Sequence, residues 1–348
     1  MKKRIIMLLL VLVCSVLLAG CGAAGQNASE KDGAGEAGAS LSGTTLQLFT
    51  AYGGLDQIFA EFEKDTGIKI EYLDMSSGEV LARIRAEKGK PLGDVWFGGG
   101  VDSFIAAKAD GLLEPYISGE AAAIPEQYKD QDGCWTGVSL VTVSLIVNEQ
   151  VCKEKGIEIP RAWADLVKPE FAGEVLMSNP SISGTSYTIL SGLLQAMGEE
   201  AGWAFIDELD KNIPYYAKRG SEPPQKAALG EVLVGLAPDT GEELKAEGYP
   251  IVSVFPADGT PWWPSPVAIL KGAENLAGAK AFVDWCLSEH GQEVLRDNCP
   301  RVPVREGVAP PEVLKGIENA RLQDIDFEIA GRERDSIVAK WEQKYGNK

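Results

Sequence analysis

The sequence predicts an α/β protein in which the strand–helix alternation occurs twice. Between residues 44 and 113, short apolar runs alternate with amphipathic helical patterns in the order β-α-β-α-β, which is typical of a parallel sheet with helices on both faces. A long apolar, β-branched run at 138–147 has no helical period and predicts a buried strand. The alternation of strands and helices begins again at residue 174. Two such patterns in a chain of 348 residues indicate two α/β domains.

The first pattern contains two turns that are expected to contact a ligand. Strands are predicted at 46–50, 68–75 and 94–97, and the first of them is followed by a helix with apolar residues at i, i+3, i+4 and i+7. Ligands of parallel α/β sheets bind at the carboxyl ends of the strands. The turns at 50–54 and 98–103 occupy such ends.

The second pattern contains a turn of small hydroxyl residues before a helix. A strand at 174–177 leads through Asn179-Pro180 to Ser183-Gly184-Thr185, where an apolar helical pattern starts. The first N–H groups of a helix have no helical partners, and together with the helix dipole they attract an anion. The alternative is an ordinary N-cap that binds nothing. Further strands are predicted at 213–217, 232–237, 251–255 and 265–270.

The N-terminus has the pattern of an export signal. Three basic residues at 2–4 precede an apolar run at 5–18 that is too short to span a bilayer comfortably. Leu18-Ala19-Gly20-Cys21 then resembles the cleavage site of a bacterial lipoprotein. This predicts a signal peptide at 1–20, a lipid on Cys21 and a flexible tether at 21–43. The mature protein would be anchored by lipid to the extracytoplasmic face of the cell membrane.

The charge of the chain limits its partners. The sequence has 33 Lys and Arg residues against 51 Asp and Glu residues, for a formal net charge of −18. Such an acidic protein is a poor general binder of nucleic acid or of anionic lipid. If it binds an anion, the site must be local and built from backbone amides or a few cations.

Four cysteines remain after Cys14 and Cys21 are assigned to the signal region. Proximity in the sequence suggests the disulfide bonds Cys134–Cys152 and Cys286–Cys299, although four cysteines allow three pairings. A zinc site is the alternative, but no C-x-x-C pair is present.

Several stretches together resemble one protein family. They are Asp94–Gly100, Asp110–Tyr116, Asn179–Tyr187, Tyr216–Pro223 and Val267–Trp285, and they lie in the family's order and at its approximate spacing. The chain resembles the solute-binding component of an ABC importer. Within that superfamily it is similar to the branch that contains binding proteins for ferric ion, aminoalkylphosphonates and sugar phosphates.

The resemblance implies a two-lobed fold of the type II periplasmic-binding-protein kind, with a doubly wound sheet in each lobe. Lobe one would comprise residues 44–140 and the return at 265–348, which includes the C-terminal helices. Lobe two would comprise residues 141–264. The lobes would close on the ligand by a hinge motion, and the closed monomer would dock on the permease.

The resemblance also implies a ligand cleft that is lined by turns from both lobes. The residues expected to bind the ligand there are Thr50, Tyr52, Gly53, Gly99, Ser183, Gly184, Thr185, Tyr216, Arg219, Ser221, Asp239 and Trp262. Glycines allow close approach of backbone N–H groups, and arginine can make a bidentate contact to a phosphate. A solvated loop at Arg219, a simple N-cap at Asp239 and core packing of the tryptophans are the open alternatives, as is which of Trp262 and Trp263 faces the cleft.

The expected ligand is a small organic anion, such as a phosphonate or a sugar phosphate, and no cofactor is expected. The alternative is ferric ion bound through Tyr215 and Tyr216, because a hard cation prefers phenolate oxygen. An enzyme is not expected, since the chain has one histidine, His290, and no G-x-S-x-G, H-E-x-x-H or P-loop motif. A ligand sensor for a membrane histidine kinase is a further alternative.

Overall fold

The computed structural model describes residues 41–238, 241–299, 301–314, 317 and 320–348. The predicted signal peptide, the predicted lipidation site at Cys21, most of the tether and Asp239 lie outside the described residues. Within the described part of the chain, every helix is too short or too polar to cross a membrane.

The first lobe begins with the alternation that the sequence predicts. Its elements are β1 (Thr45–Thr50), α1 (Asp56–Thr66), β2 (Lys69–Asp74), α2 (Ser77–Glu87), β3 (Val95–Phe97), α3 (Val101–Ala109) and β4 (Leu113–Glu114). β1 pairs in parallel with both β2 and β3, so the carboxyl ends of the three strands lie at one edge of the sheet. The apolar residues of α1 at the predicted spacing, Ile58, Phe59 and Phe62, are buried.

The second lobe follows a long central strand. The elements are β5 (Thr136–Asn148), α4 (Glu149–Lys155), β6 (Val175–Ser178), α5 (Gly184–Met197), α6 (Glu199–Asn212), β7 (Tyr216–Ala217), α7 (Glu222–Ala228), β8 (Val234–Pro238), α8 (Glu242–Ala246) and β9 (Ile251–Val254). All but one residue of β5 are buried, which explains its continuous apolar sequence. In this lobe β6 pairs in parallel with β7 and β8.

The chain then returns to the first lobe. The remaining elements are β10 (Trp262–Leu270), α9 (Leu276–Leu287), α10 (Glu289–Asn298), β11 (Val302–Pro303), α11 (Phe327–Arg332) and α12 (Arg334–Tyr345). The helices α9 and α10 pack on the first-lobe core, where Phe282 contacts Phe62 at 5.1 Å between ring centroids. The C-terminal helix α12 also reaches the second lobe, since the Tyr345 hydroxyl donates to Asp207 in α6 at 2.6 Å.

Strands β5 and β10 connect the lobes. The sheet order is β2-β1-β3-β10-β5-β8-β6-β7, with β4, β9 and β11 paired beside this path. The first half of β5 pairs with β10 and β11, and its second half pairs with β8 and β9. The crossing points predicted at residues 140 and 265 therefore lie inside β5 and β10. The predicted α/β class with two lobes is confirmed.

The predicted disulfide bonds are wrong. Cys134 and Cys152 are separate buried thiols at opposite ends of β5, whose thirteen residues span roughly 40 Å at the usual rise of a strand. A disulfide bond needs Cα atoms within about 7 Å of each other. Cys286 lies in the first-lobe core, whereas Cys299 follows α10 and its thiol donates to the Gly53 carbonyl at 3.7 Å. The pairings were predicted from closeness in sequence, but β5 lies between the cysteines of the first pair and α10 between those of the second.

Candidate functional site

A cavity of about 150 Å³ lies between the two lobes. This volume is roughly ten times the space that one water molecule needs. It is lined by turns at the carboxyl ends of strands from both lobes, as the sequence predicts. The predicted residues that line it are Tyr52, Gly53, Gly99, Ser183, Gly184, Thr185, Arg219 and Ser221.

Three helices begin at this cavity. They are α2 after Ser76, α3 after Gly100 and α5 after Ser183, and each has at least nine residues. The Ser183 hydroxyl accepts from the Ser186 N–H at 3.5 Å, so Ser183 is an N-cap as well as a cavity residue. The positive ends of three helix dipoles converge on the same space, which favours an anion there.

The two lobes touch closely beside the cavity. A Cβ atom on Gly184 would lie 2.7 Å from the Gly100 nitrogen, and the Gly100 N–H donates to the Ser77 hydroxyl at 2.9 Å. Gly99 has φ = +111°, a conformation that other residues rarely adopt. Glycine is therefore required on both sides of this contact between the lobes.

Two arginines reach the cavity from different lobes. Arg219 of the second lobe donates to the Asp74 carboxylate at 2.6 Å and to the Asp74 carbonyl at 3.1 Å. Arg301 of the first lobe lies 3.8 Å from the centroid of the Tyr52 ring, a cation–π contact. Asp74 and Arg301 are not among the residues predicted from the sequence. Asp74 lies next to the last residue of the predicted strand at 68–75 and could have been found by the rule that selected Thr50, whereas Arg301 lies in no recognisable motif.

Tyr52 forms one wall of the site. Its ring stacks on Phe97 at 5.0 Å, and its hydroxyl shares a short hydrogen bond with Ser139 on β5. Burial raises the pKa of the Tyr52 phenol to about 12, although Arg301 opposes this effect. The phenol is therefore protonated at neutral pH.

Thr50 and Trp262 do not line the cavity, in contrast to the prediction. Thr50 is fully buried, and its hydroxyl accepts from the Tyr52 N–H at 3.1 Å, so it shapes the turn from behind. The Trp262 indole donates to the Gln323 carbonyl at 2.8 Å and packs on Phe327. Its neighbour Trp263 lines the cavity instead, because successive residues of a strand face opposite sides.

Tyr216 also lies away from the cavity, and so does Tyr215. The Tyr216 hydroxyl donates to Asp210 at 2.8 Å and its ring packs on Trp341 at 4.8 Å. Burial and Asp210 both raise the pKa of the Tyr216 phenol. Tyr215, which directly precedes β7, is exposed. Among the described residues, no group of three or more His, Cys, Asp or Glu side chains is arranged to hold a metal ion.

A larger cavity of about 700 Å³ adjoins the first. It shares Gly53, Ser221, Pro238 and Arg301 with the smaller cavity and continues along α7 and α8. The anion-favouring cavity thus opens into a wider groove between the lobes.

Comparison with known proteins agrees with this architecture. The sequence profile of the family described as bacterial extracellular solute-binding protein matches residues 92–332. The periplasmic binding protein AfuA of Actinobacillus pleuropneumoniae, solved with fructose-6-phosphate bound, has a TM-score of 0.84 and 31% sequence identity over 88% of this chain and 99% of its own.

Two curated relatives carry different names. A probable ABC transporter periplasmic-binding protein of Sinorhizobium fredii is 29% identical over 86% of each chain. Iron uptake protein A1 of Synechocystis is 26% identical over 86% of this chain and 84% of its own. The similarity to periplasmic binding proteins confirms the type II fold, with its ligand cleft between two lobes. The chain belongs to the bacterial extracellular solute-binding protein family.

Proposed function

We propose that this protein is the lipid-anchored solute-binding component of an ABC importer and that it captures a small organic anion with a phosphoryl or phosphonyl group. The observation that carries the proposal is the cavity at which α2, α3 and α5 begin and which Arg219 and Arg301 line from opposite lobes. A ligand that accepts hydrogen bonds from both lobes would stabilise the closed arrangement.

The charge around the cavity supports an anion. The chain as a whole is strongly acidic, yet the cavity lining supplies backbone N–H groups, serine and threonine hydroxyls and two guanidinium groups. Asp74 is its one carboxylate among the described residues, and it is already paired with Arg219. Oxygens of a phosphoryl group match this set of donors.

The remaining walls support an organic ligand over a bare ion. Tyr52 and Trp263 present aromatic surface, and the adjoining groove gives space for a carbon skeleton. Aromatic faces suit a sugar ring. The similarity to a protein solved with fructose-6-phosphate is consistent with this class of ligand.

Ferric ion is the second candidate, because a relative of similar extent is named an iron uptake protein. The residues of this chain support ferric ion less well than an organic anion. Tyr215 and Tyr216 are outside the cavity, and the Tyr216 phenol is already bonded to Asp210. The positive helix ends and arginines would repel a trivalent cation.

The experiment is a thermal-shift and calorimetric screen of the protein without its first 40 residues. Fructose 6-phosphate, 2-aminoethylphosphonate, inorganic phosphate and Fe³⁺ are the probes. We expect an organophosphate or phosphonate to raise the melting temperature. Arg219→Gln should weaken that ligand at least tenfold, whereas the control Arg296→Gln, in a pair with Asp297 outside the cavity, should not. A shift with Fe³⁺ alone, with a visible tyrosinate absorption band, would disprove the organic-anion proposal.

The lipid anchor has a separate test. In cells, the full chain should take up a fatty-acid label and sediment with membranes. Cys21→Ser should abolish the label and release the protein. Membrane association of an unlabelled Cys21→Ser protein would contradict the proposed anchor.

A further inference from the structure

Arg334 is a buried arginine at the start of α12, outside both cavities. Only 4% of its surface is exposed. Its Nε donates to the Asp102 carboxylate at 2.9 Å, and its guanidinium lies 5.2 Å from the centroid of the Tyr187 ring. Burying an ion pair carries a large desolvation cost and is weak evidence for a gain in stability. The contacts of Arg334 show which parts of the molecule the Arg334–Asp102 pair connects.

The partners of Arg334 belong to both lobes. Asp102 lies in the first turn of α3, two residues after Gly100. The second hydrogen bond of Arg334 runs from Nη2 to the Ser181 carbonyl at 3.2 Å, in the turn that leads into α5. One guanidinium therefore joins the two turns that form opposite sides of the anion-favouring cavity.

The surroundings of this contact are tightly packed. The Gly78 N–H of α2 donates to the Ile182 carbonyl at 2.9 Å, and a Cβ atom on Gly78 would collide with the Ser181 carbonyl oxygen. The Tyr187 hydroxyl donates to the Ala330 carbonyl at 2.6 Å, which ties α5 to α11. We call the group of Gly78, Asp102, Ser181, Ile182 and Arg334 the rear junction.

We infer that Arg334 is a positioning residue for the ligand, which it never touches. By holding Asp102 and Ser181 together it fixes the starts of α3 and α5 at the spacing that an anion between them requires. The C-terminal segment is thus a third connection between the lobes, in addition to β5 and β10. The effect on ligand affinity rests on the proposed function, but the effect on the junction does not.

The test compares the wild type with Asp102→Asn/Arg334→Met. The double variant removes both buried charges and keeps most of the side-chain volume, so its melting temperature should stay close to that of the wild type. Two readouts then separate positioning from bulk stability. The first is hydrogen exchange of the Gly78 amide in ligand-free protein, and the second is affinity for fructose 6-phosphate.

Gly78 is a direct reporter, because a residue in the first turn of a helix has no helical partner for its N–H. We expect its amide to exchange at least tenfold faster in the double variant, while the amides of β1 are unchanged. Affinity should fall at least tenfold at a nearly unchanged melting temperature. If the double variant does not fold, Arg334→Lys gives the same readouts, since lysine keeps the charge but cannot reach both partners as a fork.

The outcomes are distinguishable. Unchanged Gly78 exchange would overturn the inference whatever the ligand is. Faster exchange with unchanged affinity would overturn the positioning role. If the wild type binds no organophosphate or phosphonate but the variant exchanges faster at Gly78, the proposed function fails and the rear junction stands.

Discussion

Two arginine–carboxylate pairs lie where the lobes meet, and they differ in their exposure to water. In the Arg219–Asp74 pair, the side chains are 45% and 52% exposed. In the Arg334–Asp102 pair of the rear junction they are 5% and 3% exposed. Water can replace either partner of the first pair at little cost, whereas separation of the second would leave a buried charge without a counter-charge. The exposed pair is therefore suited to exchange with a ligand, and the buried pair is suited to stay closed.

Loss of the buried arginine should have the largest effect. Arg334→Met leaves the Asp102 carboxylate buried without its counter-charge, and we expect it to lower the free energy of unfolding by about 3–5 kcal/mol. Arg219→Met, at the exposed pair, should lower it by less than about 1 kcal/mol. Urea denaturation of the ligand-free proteins measures both. Equal losses would show that burial does not distinguish the pairs.

The loss of unfolding free energy in Arg334→Met should also depend on pH. Burial raises the pKa of Asp102, and Arg334 acts in the opposite direction, so removal of the arginine raises that pKa further. A carboxyl with a raised pKa in the folded state favours folding most below its unfolded pKa of about 3.9 and loses that contribution as the pH rises. The destabilisation by Arg334→Met should therefore shrink as the pH falls from about 7 toward 4. Asp102→Asn/Arg334→Met, which lacks the carboxyl, should show no such trend in the same urea titrations.

A smaller effect is expected where the lobes touch beside the cavity. Gly184→Ala places a Cβ atom 2.7 Å from the Gly100 nitrogen, so the lobes cannot close fully on a ligand. Affinity for the organophosphate should fall at least tenfold, or about 1.4 kcal/mol. Gly119→Ala is the matched control, because its Cβ atom would meet nothing within 4 Å. Calorimetry on both variants checks this, and an unaffected affinity in Gly184→Ala would mean that the closed contact is not needed for binding.

The cavity turns could be predicted from the sequence because their signals are local. Ser183 combines a cap residue with a following apolar helical period, and Gly99 follows an apolar strand. The location of ligands at strand ends then connects these separate turns. No such local signal indicates which face of β10 points into the cleft. Trp262 was therefore predicted to bind the ligand, whereas Trp263 lines the cavity.

The parts that could not be predicted depend on long-range contacts. Arg334 lies more than 200 positions from Asp102 in sequence, and nothing in its own helix marks it as buried. Arg301 acquires its role only when the folded chain places its guanidinium over the Tyr52 ring. The Cys134–Cys152 prediction was wrong for a related reason, since residues that are close in sequence are far apart when an extended strand lies between them.

A change in the exposed Arg219–Asp74 pair should have the smallest effect on ligand affinity, and the direction of that effect is informative. Asp74→Asn removes the carboxylate that competes with a ligand for Arg219, but the Asp74 carbonyl still accepts from Arg219 at 3.1 Å and keeps the arginine at the cavity. Affinity for a phosphoryl ligand should therefore rise two- to fivefold, within the ~1 kcal/mol range of exposed pairs. The control Asp297→Asn breaks an exposed pair outside the cavity and should leave affinity unchanged. Weaker binding by Asp74→Asn would mean that the carboxylate orients Arg219 for the ligand, and the exposed pair would then be a fixed contact like the buried one.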